Sequence, residues 1–185
     1  MKRAMVSCGV MLAALLTAAA ADDGGPAIRR VKLPDHGALD LPAPPTWRIT
    51  AESFLGWLAP KISFSPPEGK AFSVSITVSW ASNDDPHFND PKTVLKAVTK
   101  VRDLAVDGAT TRHIPILEIK GEELSGHYFT ATVREPRPDD WRYMTVGAAA
   151  LKDLLLKFAI YSNDPGQPEA ASALAMLQKA RRVEQ

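Results

Sequence analysis

The sequence predicts an α+β protein, with a mainly antiparallel sheet of about six to eight strands flanked by helices. Three observations lead there. Phe72, Val74, Ile76, Val78 and Trp80 alternate without a break against Ser73, Ser75, Thr77 and Ser79, the period-two pattern of a strand with one buried face. Val94, Leu95, Val98, Val101 and Ala105 recur at helical spacing behind Asn89-Asp90-Pro91, an acid at the cap position and a proline in the first turn. Leu154-Leu155-Leu156 and Phe158-Ala159-Ile160 carry apolar groups on both faces of one segment, with Lys157 intruding, as expected of a central strand covered on both sides.

The elements follow in order. Met1 to Ala21 reads as a cleaved export signal: Lys2 and Arg3 supply a positive start, Met5 to Leu16 an apolar run, and Thr17 to Ala21 a small-residue cleavage region before Asp22-Asp23. A spanning helix needs ~20 apolar residues, and this run is shorter. The only cysteine, Cys8, lies inside it, so the exported chain is expected to have no disulfide, thiol nucleophile or thiolate metal site. Residues 22–35 form a flexible leader with room for a short strand at Ile28–Leu33, and residues 36–185 form a single α+β domain. A second strand, His36–Leu41, is stopped by Pro42-Ala43-Pro44-Pro45, and a third spans Lys61–Ser65. After the strand at Phe72–Trp80 and the first helix, which Gly108 ends, strands are expected at about 114–120, 126–134, 141–148 and 153–162. Gln167-Pro168-Glu169 opens a last helix with the stripe Ala170, Ala173, Leu174 and Leu177, and Lys179, Arg181 and Arg182 complement its C-terminal dipole.

Charge and composition narrow the function. The chain has 22 basic and 21 acidic residues, a mean hydropathy of −0.11 and 23% charged residues, ordinary values for a soluble globular protein. No basic run marks a nucleic-acid surface, and no second apolar stretch is long enough to insert stably in a membrane. The histidines His36, His87, His113 and His127 lie too far apart in sequence for a paired metal motif. Asp84, Asp85 and Asp90 lack calcium-loop spacing, and no glycine loop cradles a phosphate. No metal or cofactor is expected.

Ser125 and His127 share a strand face, and with Asp139 or Asp140 they supply the residue types of a hydrolase triad. No nucleophile turn surrounds them, so catalysis is the alternative reading and no catalytic residue is assigned. The stretch Glu135–Met144 reads as the loop and first residues of a hairpin. Pairing Thr132 with Tyr143, Thr130 with Thr145 and Tyr128 with Gly147 sorts the faces, one aromatic and hydroxyl-bearing, the other aliphatic. If the first face is open, Tyr128, Arg134, Trp141 and Tyr143 form a platform for a peptide or planar ligand; if a helix covers it, Trp141 is core.

Leu39-Asp40-Leu41, the Pro44-Pro45-Thr46-Trp47 turn, the strand pair, the helix, the meander and the closing helix together resemble the PsbP-like fold. That fold includes the extrinsic photosystem II protein and several exported bacterial domains. Gly126–Thr132 and Trp141–Ala148 are similar to segments of short exported bacterial proteins. The resemblance spans about residues 36 to 182. It implies an α/β/α sandwich with a binding or assembly role, engaging an envelope protein or a small ligand, and carries over no catalytic residue.

Overall fold

A computed structural model describes residues 25–52, 60–81, 85 and 87–184. The expected export signal, Met1–Ala21, lies outside these residues. The described strands are β1 (Ala27–Lys32), β2 (Ala38–Ala43), β3 (Arg48–Glu52), β4 (Lys61–Ser65) and β5 (Phe72–Trp80), then β6 (Leu117–Lys120), β7 (Leu124–Thr132), β8 (Tyr143–Leu151), β9 (Leu154–Ser162) and β10 (Arg181–Val183). Helix α1 (Pro91–Val106) follows β5, and α2 (Pro168–Gln178) follows β9. Seven strands form an antiparallel sheet in the order β3-β4-β5-β9-β8-β7-β6, and β1-β2-β10 form a second sheet.

The registers explain the core. Val74 lies opposite Ile160, Ile76 opposite Phe158 and Val78 opposite Leu156, so the apolar halves of β5 and β9 share one face. That face is buried with Leu39 and Leu41 of the small sheet and Ala173 and Leu177 of α2. The opposite face carries α1, whose Val94 and Val98 pack with Phe129, Ala131, Ala148 and Leu155. The layers are therefore helix, large sheet, and a mixed third layer in which α2 shares the cover with three strands.

Several expectations are corrected. Strand β3 was not anticipated, because Arg48-Ile49-Thr50-Ala51-Glu52 offers only two apolar positions between charged ends; its ladder with β4 supplies what its pattern lacks. Strand β2 does not stop before Pro42 but runs through Ala43. Its β10 neighbour reaches only Asp40, so the proline falls where that side of β2 is an open edge. Arg181 and Arg182 belong to β10 rather than to the end of α2, and their guanidiniums donate to Glu122 at 2.8 Å and Asp153 at 3.1 Å. Asp90 stands at the cap position of α1 but makes no side-chain capping bond; its carboxylate lies 3.0 Å from His87 Nδ1 instead. Leu95 and Val101, expected in the buried stripe, are 40% and 42% exposed, because α1 buries a narrower face than its spacing suggests. Strand β9 is central, as expected, yet beyond Leu155 its second face opens at Lys157.

The small sheet carries a bidentate ion pair. Arg30 Nε and Nη2 each donate to an Asp40 carboxylate oxygen at 2.7 Å. This hydrogen-bonded partner holds the Asp40 carboxyl below its ordinary range. A depressed folded pKa adds stability above the unfolded pKa, about 3.9, and that stability fades as pH falls through the folded value. Asp40→Asn should therefore be less stable at neutral pH and lose less of its remaining stability below about pH 4. Urea midpoints across that range measure it.

Candidate functional site

Among the described residues, the α1 side of the large sheet is only half covered. Strands are spaced about 4.8 Å apart and a helix is about 10 Å wide, so one helix covers roughly two strands. Helix α1 lies over β7 and β8 and reaches Leu155 of β9; among the described residues, the outward side chains of β5, and those of β9 from Lys157 onward, have no helix packed over them. The strict alternation of β5 turns Ser73, Ser75, Thr77 and Ser79 to that face while its apolar residues go to the core. On β9, Ala159 faces Ser75 and Lys157 faces Thr77; on β8, Val146 and Ala148 continue these two rows.

A groove of about 420 Å³ runs where α1 meets this open half. Ala97 and Val101 line it from the helix, Val146, Ala148 and Ala159 from the sheet, and Ser75 and Thr77 from the β5 side. Lys100 and Lys157 also line it, and among the described residues no acidic residue does and neither lysine is in an ion pair. Its volume falls within the ~300–1,000 Å³ range of small-molecule clefts, and its lining is mostly apolar with a few polar groups. In the sequence, the alternation of β5 marks these hydroxyls only as the face turned away from the core. The signal that could have found the groove was Lys157, the one charged residue in an otherwise apolar strand.

The hairpin has the expected register. Thr132 faces Tyr143, Thr130 faces Thr145 and Tyr128 faces Gly147, with Phe129 opposite Val146 and Ala131 opposite Met144 on the other face. The Thr130 and Thr145 hydroxyls lie 2.9 Å apart. The aromatic platform residues are engaged in different places. Tyr128 is half-buried against the larger core. Tyr143 is half-buried at the far end of β8. Trp141 stacks with Tyr161, ring centroids 6.5 Å apart. The Arg134 guanidinium donates to the Ala109 carbonyl at 2.8 and 3.2 Å, and its amide to the Gly108 carbonyl at 2.8 Å, which ties the hairpin to the turn after α1. That role depends on a carbonyl 25 residues away, which no local pattern reveals. Because Thr132 and Tyr143 are directly opposed, Thr132→Cys with Tyr143→Cys should form a disulfide in the folded, oxidised protein. Pairing Thr132→Cys instead with Met144→Cys should not bridge, because neighbouring strand residues point to opposite faces.

Ser125 and His127 lie on the α1 side of β7, opposite Ala150 and Ala148, and line a cleft of about 240 Å³ with Glu118 and Lys120. They stand two residues apart on the strand, about 7 Å along the chain. Asp139 and Asp140 lie beyond the far end of β7, past Thr132, which at about 3.4 Å per residue is some 17 Å along the strand from His127. The carboxylate opposite His127 is Glu118, and it is engaged by Lys120 at 2.7 Å; that hydrogen bond lowers its pKa. The triad proposed from the sequence is therefore not brought together. Elsewhere, His36 stacks on Trp80 with centroids 4.3 Å apart, and no group of three or more potential metal ligands occurs among the described residues. No described helix is long and apolar enough to cross a membrane.

No family model matches the sequence, and no curated protein does. The structure is similar to the solution structure of cyanobacterial PsbP (CyanoP) from Synechocystis sp. PCC 6803. The TM-score is 0.55 at 10% sequence identity, over 97% of this chain and 99% of that one. At that identity the likeness speaks for architecture, and together with the seven-stranded antiparallel sheet, the smaller sheet and the two helices it shows that the chain has a PsbP-like α+β fold.

Proposed function

We propose that this chain is an exported, non-catalytic binding module that takes an envelope protein or a small ligand on the open half of the α1-side sheet face. The observation that carries the reading is the face left half covered among the described residues: a mostly apolar groove with hydroxyls and two lysines that form no ion pair there, on strands rather than on loops. A PsbP-like scaffold is compatible with an accessory role. Separation of Ser125 and His127 from Asp139 and Asp140 weighs against the hydrolase alternative.

The export part of the reading rests on the composition of Met1–Ala21. N-terminal sequencing of the protein recovered outside the cytoplasm should give a start near Asp22; recovery with Met1 intact in the membrane fraction would contradict it. The binding part is tested with two baits in an envelope extract, the wild-type protein and Ala159→Arg, which fills the groove from an outward-facing, half-buried position. Specific capture by the first and its loss in the second, with unchanged melting, is expected. Equal capture by both would count against the groove. Ester, phosphate and peptide substrates should be turned over by neither the wild type nor Ser125→Ala; turnover abolished by Ser125→Ala and by His127→Ala would restore the enzyme reading.

A further inference from the structure

We propose that the groove beneath α1 binds a free medium-chain carboxylate, its head group at Thr77 between Lys61 and Lys157 and its hydrocarbon chain along the aliphatic wall; this rests on the functional reading above. The two ladders of β5 place Thr77 directly opposite Lys61 on one side and Lys157 on the other. Both lysines are exposed, and neither is in an ion pair among the described residues. Glu52 stands directly opposite Lys61 on the next strand out, and among the described residues the two form no ion pair. The two lysine positions stand in one row, two strands or about 10 Å apart with Thr77 between them, so an anion seated at Thr77 has a cationic side chain on either side. The hydroxyl midway is a donor that such an anion can use.

The donor inventory selects the head group. Lysine ammoniums donate and cannot accept, and Thr77 can donate, so the row suits a ligand atom that only accepts. An ionised carboxylate does so with two oxygens, enough to reach the hydroxyl and one ammonium at the same time. Past Lys157 in this row, and in the row beside it, the chemistry changes sharply. Ala148 and Val146 on the sheet, with Ala97 and Val101 on the helix, make a wall with no polar side chain, and Val101 stays 42% exposed there. Leaving that surface wet is unfavourable, and an alkyl chain laid on it gains about fourfold in affinity per buried methylene. A space of about 420 Å³ takes one such chain, whereas a protein interface of standard size needs about 800 Å² from each partner. Three lysines, counting Lys100, are too few for a polyanion whose binding rests on many phosphate contacts.

The test uses the protein purified after expression of the complete chain, titrated with octanoate, octan-1-ol and butyrate while backbone amide shifts are followed. Octanoate should saturate, with shifts centred on Thr77, Lys157, Ala159 and Val146. Octan-1-ol, lacking the charge, and butyrate, lacking the chain, should each bind at least about tenfold more weakly. Lys157→Gln should weaken octanoate about tenfold and leave octan-1-ol unchanged, a split that loss of folding would not produce. Equal binding of octanoate and octan-1-ol, or indifference to Lys157→Gln, overturns the proposal, as does the absence of octanoate shifts in the groove. If octanoate fails while Ala159→Arg still abolishes capture of a protein partner, the ligand inference falls and the functional reading stands.

Discussion

Replacing Phe158 by alanine should destabilise the protein by about 3–5 kcal/mol, the usual range for truncating a fully buried phenylalanine. Phe158 is 2% exposed and sits opposite Ile76 on one neighbouring strand and Gly147 on the other, in the centre of the core shared by the large sheet and its mixed cover. The substitution opens a cavity among β-branched neighbours on a hydrogen-bonded sheet, which can collapse only partly. Urea unfolding, with the midpoint shift read at unchanged slope, measures the loss. A change below about 1 kcal/mol would mean that β9 lies at an edge with this side chain in solvent.

The second large effect is expected at Gly147. A Cβ added there would collide with the Phe158 ring, the His127 carbonyl and the Tyr128 Cβ. One of these is backbone in the paired strand and cannot move without distorting the ladder. Gly147→Ala should therefore cost about 1–3 kcal/mol, as overpacking of a core does. The Phe158 ring is one of the three obstacles, so Gly147→Ala should cost less in the Phe158→Ala background. The double-mutant cycle should give a favourable coupling of at least about 0.5 kcal/mol, whereas strict additivity would show that the ring does not limit the space over Gly147.

What the sequence disclosed and what it withheld divide along a physical line. Alternation placed β5 at Phe72–Trp80, because a strand with one buried face writes its period into consecutive residues. The β7–β8 register was legible for a similar reason: a one-residue slip would set residues of unlike chemistry on each face, and only one pairing keeps them sorted. Strands β3 and β10, five and three residues long, carry too few apolar positions to announce themselves; each exists because a neighbouring strand offers an open edge. Helical spacing showed that α1 has an apolar stripe but could not show which strands it would sit on. The exposure of Val101 and the groove beside it follow from that placement over β7 and β8. The same gap hid the anchoring of Arg134 on the Ala109 carbonyl, which removes a cation from the aromatic hairpin residues.

The central claim is that the open half of the α1-side face is the working surface of this fold. The most direct measurement is a backbone amide shift map of the ¹⁵N-labelled protein in the presence of the partner or ligand it captures from the envelope. The account predicts perturbations centred on β5 and β9, at Ser75, Thr77, Lys157 and Ala159, extending to Ala97 and Val101 of α1. Perturbations centred instead on Tyr128, Trp141 and Tyr143, or on the small sheet, would contradict it.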